Sequence, residues 1–152
     1  YAERAINMSA FPSVGACALG IKAAGLLRLG APEAALDASS RGMAILRELG
    51  TIETGEGILR LAHAESLHAL GHTQRAAKAI GVALERLRTN AARIADESRR
   101  QSFLEAVPEH ARTIELSAAW SAELSRQREP PAAEPTQPAE ARPEPSSDDE
   151  VR

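Results

Sequence analysis

At 152 residues, the chain is long enough for one modest domain and too short for two well-buried ones. Hydrophobic residues make up 43% of the sequence but aromatic residues only 3%, and the β-branched runs typical of strands are missing, which favours an all-α fold built from Leu, Ile and Ala. The net charge is −3, and residues 1–128 carry 16 basic and 14 acidic side chains without a basic stripe, so nucleic acid is not an expected partner.

Proline and glycine mark the limits of the first predicted helices. A short helical run, AERAINMSA, ends before the Phe11-Pro12 step, because the residue before a proline avoids the α region. Ser13 is predicted to cap a helix that stops at Gly30. Pro32 starts the next helix, which reaches about residue 49 and completes a hairpin over about 13–49.

A second hairpin is predicted over about 57–95, after the loop TIETGEG. Its first helix stops at Gly71, and Thr73 is expected to cap a long second helix that reaches about residue 95. Asp96 is predicted to cap ESRRQSFLEA, and Pro108 starts a last helix that runs to about residue 126. The segment 97–126 is therefore interpreted as a pair of capping helices that closes a helical domain over residues 1–128.

From residue 129 the composition changes to EPPAAEPTQPAEARPEPSSDDEVR, which we call the acidic segment. It contains six prolines, seven acidic and two basic residues, a net charge of −5, and no Leu, Ile or aromatic side chain. Such a composition cannot bury enough apolar area to offset the entropy of ordering, so residues 129–152 are predicted to be a disordered Pro/Glu-rich tail.

Small residues recur at matched positions of the two hairpins. Aligning Gly30 with Gly71, an offset of 41 residues, superposes small residues on small residues and leucines on leucines; the small pairs are Ala23 with Ala64, Ala35 with Ala76 and Gly42 with Ala83. Where paired helices cross, a side chain larger than a methyl group would hold the axes apart. The pattern predicts two related hairpins in close contact.

This register resembles the tetratricopeptide repeat (TPR), in which a small and then a large residue on the first helix precede two alanines on the second. The resemblance implies a TPR-like α-solenoid of antiparallel hairpins whose first helices line a concave protein-binding groove. An Ala/Leu-rich hairpin of another lineage would share the same few positions. Carried over position by position, the groove residues are Leu27, Arg28, Ile58, Leu61, Glu65 and His68, with Cys17, Gly20, Ile21, Ala24, Ala62 and Ala69 at neighbouring lining positions.

A second resemblance covers about residues 50–120, through ETGEGILRLAHAESLHALG and RRQSFLEAVPEHAR. These stretches look like the end of the helical-repeat region in large bacterial signalling proteins, notably eukaryote-like serine/threonine kinases that also carry an ATPase module. The resemblance implies a place near the C-terminal end of such a protein. It implies no catalysis in this piece, and a kinase or ATPase domain would lie upstream of Tyr1.

No catalytic or cofactor-binding motif is found in the sequence. Kinase elements and a Walker A sequence do not occur. His63, His68 and His72 lack the spacing and the partners of a zinc site, so no metal is predicted. Cys17 is interpreted as a small buried residue and His110 as a solvated one, whereas Trp120 is expected to pack against the preceding hairpin.

We therefore expect a non-catalytic module for protein–protein or interdomain contacts in a bacterial signalling protein. The expected partner is a protein, or a neighbouring domain of the same chain, that offers apolar and basic residues; nucleic acid, membrane and small-molecule substrate are not expected. The chain has no long apolar run and no leader, which predicts a cytoplasmic protein. The alternative is a structural dimerisation module that pairs through the long helix 74–95. An enzyme fragment that completes an active site elsewhere is a third hypothesis.

Overall fold

The computed structural model describes residues 11–128, and within this range the chain forms six α-helices and no strand. The prediction of an all-α fold is thereby confirmed. The helical run predicted before Phe11 and the tail predicted over 129–152 lie outside the described residues. The helices are α1 (Pro12–Arg28), α2 (Pro32–Leu49), α3 (Glu56–Ala69), α4 (Thr73–Ala92), α5 (Glu97–Glu105) and α6 (Pro108–Arg128).

The prolines mark the first residues of helices better than the serine and threonine predicted as caps. The prediction that Ser13 caps α1 is wrong: the helix begins one residue earlier, at Pro12, whose fixed φ suits the first helical position. Thr73 is likewise the first residue of α4 and not its cap, which is His72. The predicted cap at Asp96 is confirmed, because its Oδ1 accepts a 2.7 Å hydrogen bond from the Arg99 amide.

The first helices of the two hairpins end in the same way. Gly30 and Gly71 have φ of 71° and 78°, a left-handed conformation that favours glycine. In each case the next amide reaches back to the carbonyl five residues earlier: Ala31 donates to Leu26 at 3.0 Å, and His72 donates to the corresponding leucine, Leu67, at 2.9 Å. The stop signals predicted 41 residues apart are therefore the same local structure.

The second helix of hairpin two is shorter than the sequence indicates. The apolar residues Ile94 and Ala95 extend the helical pattern, but α4 ends at Ala92. The amides of Arg93 and Ile94 donate to carbonyls three residues earlier, at 3.2 and 3.0 Å, which tightens the last turn and ends the α-helical ladder. The chain then turns towards α5.

The two hairpins pack side by side through α3. This helix contacts α1 and α2 of the first hairpin as well as its own partner α4, while α6 covers α4 and α3 from the other side. The matched alanines lie at these contacts: Ala23, Ala35, Ala64 and Ala76 are all fully buried. The predicted close approach at methyl-sized side chains is thus present in both hairpins.

Glycines permit a still closer approach where α3 crosses the first hairpin. A Cβ on Gly20 would lie 2.9 Å from the Cα of Leu59, and one on Gly42 would lie 2.7 Å from a Leu59 methyl carbon. Leu59 is fully buried between them. None of the six helices within residues 11–128 combines the length and the apolar character needed to cross a bilayer.

Candidate functional site

A groove of about 730 Å³ opens between α1, α3 and α6, and we call it the front groove. The structure brings all six residues predicted for a binding groove into its wall. Its lining residues are Ala24, Leu27, Arg28, Ile58, Leu61, Glu65, His68, Ala69, Pro108, Glu109, Arg112, Leu116 and Trp120.

The third wall of the groove comes from α6. The sequence places this helix as a cap behind the second hairpin, yet Pro108, Arg112, Leu116 and Trp120 face the same cavity as α1 and α3. They lie four residues apart and therefore along one face of the helix. That spacing is visible in the sequence, but nothing in it shows that the face also lines the groove.

The front groove has an apolar floor and a rim with acidic and basic side chains. Ala24, Leu27, Ile58, Leu61 and Leu116 supply aliphatic surface, and of these Leu61 and Leu116 belong to the core cluster beneath. Burial of such surface on a partner stabilises a complex in proportion to the apolar area removed from water. The arrangement suits a ligand with an apolar face and polar edges.

An ion pair joins α6 to α3 across the rim. Arg112 Nε lies 3.2 Å from Glu65 Oε1, and its Nη1 lies 3.0 Å from Glu115 Oε2. The hydrogen bond that Arg112 donates to Glu115, followed by the one it donates to Glu65, raises the pKa of Arg112 despite its partial burial. Glu65 is thus already partnered, which leaves Arg28 and Glu109 as the rim charges outside this pair.

His68 and Trp120 stack at the end of the groove. Their ring centroids are 4.3 Å apart and their planes differ by 2°. Trp120 is only 7% exposed and lies in the core cluster with Ala64, Ala76 and Ile80, so it packs against the preceding hairpin, as its spacing predicts. Glu123 Oε2 lies 4.0 Å from His68 Nε2.

Four other positions carried over from the family do not line the front groove. Gly20 and Ala62 are buried in the helix contacts. Ile21 is 57% exposed on α1 outside the groove. Cys17 is half-buried against Gly55. These four positions lie on the same two helices as the groove residues, but the rotation of α1 against α3 decides which side chains reach the cavity.

The interpretation of His110 as a solvated residue is wrong. This histidine is half-buried, and its Nδ1 lies 2.7 Å from the carbonyl oxygen of Phe103. The two rings also meet at 4.4 Å between centroids. His110 therefore ties the first turn of α6 to α5, a contact that sequence spacing alone does not reveal.

Among the described residues, Glu56 is the charged side chain with the most hydrogen bonds. Its Oε1 accepts hydrogen bonds from Arg60 at 2.9 Å and Arg86 at 3.0 Å, and its Oε2 accepts from the Thr51 hydroxyl at 3.1 Å and the Ile52 amide at 3.4 Å. Burial raises the pKa of this carboxyl, but the two arginines outweigh that effect and leave the pKa below its ordinary value of 4.5. The network holds the loop between the hairpins against α3 and α4.

The three histidines considered for a metal site lie in separate environments. His63 Nδ1 is 3.1 Å from the hydroxyl of the buried Ser39, whereas His68 stacks on Trp120 and His72 is exposed. Within residues 11–128 no three His, Cys, Asp or Glu side chains are grouped so that they could hold a metal ion. The hydroxyl of Ser39 also lies 3.1 Å from the Leu36 carbonyl oxygen, to which it donates a hydrogen bond.

Comparison with protein-family models, with curated proteins and with solved structures gave no significant match.

Proposed function

We propose that this helical array is a non-catalytic, TPR-like interaction module that binds an amphipathic helix of a protein partner, or of another domain, in the front groove. The observation that carries the proposal is the groove itself: three helices enclose an aliphatic floor with a charged rim. Amphipathic helices bind such grooves through apolar side chains spaced three and four residues apart. A module of this kind belongs in a signalling protein of the sort that the resemblance implies.

The chemistry of the rim favours this ligand over an acidic chain end. In the carboxylate-binding variety of the TPR, basic and amide side chains line the first helices. Here the corresponding places on α3 hold Leu61, Ala62 and Glu65. We expect a partner with a broad apolar face and a basic residue that reaches Glu109.

The surface of α4 gives less support to the dimerisation alternative. Its apolar face, with Ala76, Ile80, Ala83 and Leu87, is buried within the chain. Val82, at 49% exposed, is the one large exposed hydrophobic residue of this helix. A stable pairing through α4 would need more apolar surface than this. Sedimentation velocity over a wide concentration range tests the alternative, which predicts a dimer whose population rises with concentration.

A library of synthetic amphipathic helical peptides, screened against the full chain, tests the proposed function. Peptides with apolar residues at i, i+3, i+4 and i+7 are expected to be enriched and to shift the amide resonances of α1, α3 and α6. Leu27→Lys should weaken the best peptide about tenfold or more, since it places a charge on the apolar floor.

Ile21→Lys is the matched control, because Ile21 lies on the same helix but outside the groove. It should leave the affinity unchanged. Enriched peptides that shift other surfaces, or that bind the Leu27→Lys variant equally well, would overturn the proposal.

A further inference from the structure

A second cleft, of about 370 Å³, lies on the other side of α3, and we call it the basic cleft. Residues 60, 63 and 67 of α3 line it, whereas residues 58, 61, 65 and 68 line the front groove. At 100° per residue, the two sets point in roughly opposite directions. The basic cleft is therefore independent of the front groove and of the function proposed for it.

The basic cleft gathers cationic side chains. Arg60 and His63 come from α3, and Arg75 and Lys78 come from α4; of the described residues that line the cleft, none is acidic. Arg60 is committed to Glu56 at 2.9 Å. Arg75 and Lys78 form no ion pair with any residue in the described range 11–128.

The positive charges near the basic cleft act on the imidazole of His63. Burial lowers the pKa of this imidazole, and the nearby positive charges of Arg75 and Arg47 lower it further. The repulsion shows that these guanidinium groups are close enough to act on the same site. A ligand that supplies negative charge would relieve it.

The basic cleft lies next to the last turns of α6. Arg75 and Lys78 also border a neighbouring surface depression whose other wall contains Ser121 and Leu124. Only a few residues separate Leu124 from residue 129, where the acidic segment begins. The described end of α6 therefore lies near Arg75 and Lys78.

We propose that the acidic segment, residues 129–152, binds in the basic cleft of its own chain. Its net charge of −5 complements the cleft, and the cluster Asp148-Asp149-Glu150 is its densest negative charge. A segment of 24 residues can extend to about 80 Å, which is far more than the diameter of one helix, about 10 Å. Its length therefore allows it to reach the cleft. The apolar surface of Met43 and Val82 in the cleft suits its prolines. Covalent attachment gives the segment an effective concentration in the millimolar range, so individually weak ion pairs suffice.

Paramagnetic relaxation enhancement in the full chain tests the proposal. A nitroxide is attached at Ser147→Cys in a Cys17→Ala background, next to the acidic cluster. The amide peaks of Ala79, Val82 and Met43 should lose intensity about two-fold or more relative to the reduced label. The loss should be strong at about 0.1 M salt and largely gone at about 1 M, where the Debye length falls from about 10 Å to about 3 Å.

Charge variants identify the surfaces involved. Arg75→Glu with Lys78→Glu should abolish the intensity loss, whereas Arg88→Glu with Arg93→Glu, an equal charge change at exposed positions outside the cleft, should retain it. Neutralising the acidic cluster with Asp148→Asn, Asp149→Asn and Glu150→Gln should also abolish it. This last variant leaves residues 11–128 unchanged, so a folding defect in that region cannot account for its result.

Several outcomes would overturn the proposal. Intensity loss that is absent, that centres on the front groove, or that survives the cleft substitutions would show that the segment does not bind there. Intensity loss seen only between a spin-labelled chain and a separate isotope-labelled chain would assign the cleft to a second copy instead. An acidic peptide of unrelated sequence that binds the cleft equally well with the acidic segment present would assign it to an outside partner.

Discussion

The two junctions around α3 are built in different ways. At the first junction, with α1 and α2, Gly20 lies against the backbone of Leu59, and Gly42 lies against the methyl groups of the same leucine. At the second, with α6, long side chains meet: His68 stacks on Trp120, and Arg112 reaches Glu65. Where α1 and α3 touch at Gly20 there is no room for a cavity, whereas the front groove opens where long side chains separate α6 from α3.

The difference also concerns how each junction tolerates change. At Gly20 the first junction is closed by backbone atoms of Leu59, and at Gly42 by its fully buried side chain, so added volume has nowhere to go. The second depends on side chains that have alternative rotamers and partly solvated ends. We therefore expect the first junction to open only with the whole fold and the second to open locally. Three substitutions at the junctions test this contrast and a fourth, at Glu56, tests the loop between the hairpins; they follow in order of decreasing expected effect.

Trp120→Ala is expected to produce the largest loss. It removes a side chain that is 93% buried in the core beneath α6, and such truncations lower the free energy of unfolding by about 3 kcal/mol. Urea denaturation measures the loss, and hydrogen exchange should show faster opening of α6 with α1 still protected. A loss below about 1 kcal/mol would contradict the expected size of the effect. Uniform acceleration of hydrogen exchange would contradict the local opening of this junction.

Gly20→Ala is expected to cost about 2 kcal/mol, because its methyl group meets the backbone of Leu59. Gly25→Ala is the control on the same helix: it has open space and should stabilise α1 by about 0.5 kcal/mol or more through helix propensity. Thermal and urea unfolding of the two variants should differ in sign. Equal effects would mean that the first junction is not sterically closed.

Glu56→Gln should lower stability by about 1.5 kcal/mol at neutral pH, since it weakens hydrogen bonds to two arginines. Because the folded-state pKa of Glu56 lies below 4.5, its ionised form stabilises the fold above that pH. This contribution is lost as the pH falls through the folded-state pKa. Urea midpoints measured from pH 7 down to pH 3 should therefore fall less steeply for Glu56→Gln than for the native chain.

Arg112→Ala should have the smallest effect, within about 0.5 kcal/mol, because its side chain is 47% exposed and its ion pairs are screened by water. Added salt should reduce the difference from the native chain further. Arg112→Lys, which keeps the charge but loses the forked geometry, serves as the control. A loss above about 1.5 kcal/mol would show that this ion pair, and not Trp120, holds α6 in place.

Much of the local structure could be predicted from the sequence. Glycines 30, 50 and 71 stop helices because only glycine adopts their positive φ readily, and Pro12, Pro32 and Pro108 begin helices because their φ is already set. The error at Ser13 came from placing a hydroxyl cap where a proline already supplied the start. Such signals act over a few residues and do not depend on the rest of the fold.

The candidate site was only partly predictable. The six residues predicted for a groove line one cavity because α1 packs beside α3. The wall formed by α6 and the role of His110 were missed, since both depend on how α5 turns the chain back onto the second hairpin. The groups that donate hydrogen bonds to Glu56 also come from three separate elements, the loop between the hairpins, α3 and α4, which no spacing along the chain brings together.

The sequence by itself determined the helices, their ends and the positions where side chains had to be small, because backbone conformation and close approach are set by single residues and short periodicities. Only the tertiary structure decided which charges meet, which faces of α3 line the front groove and the basic cleft, and how far α6 stands from α1. Those features depend on the relative rotation of packed helices, which is the combined result of many contacts between residues distant in the chain.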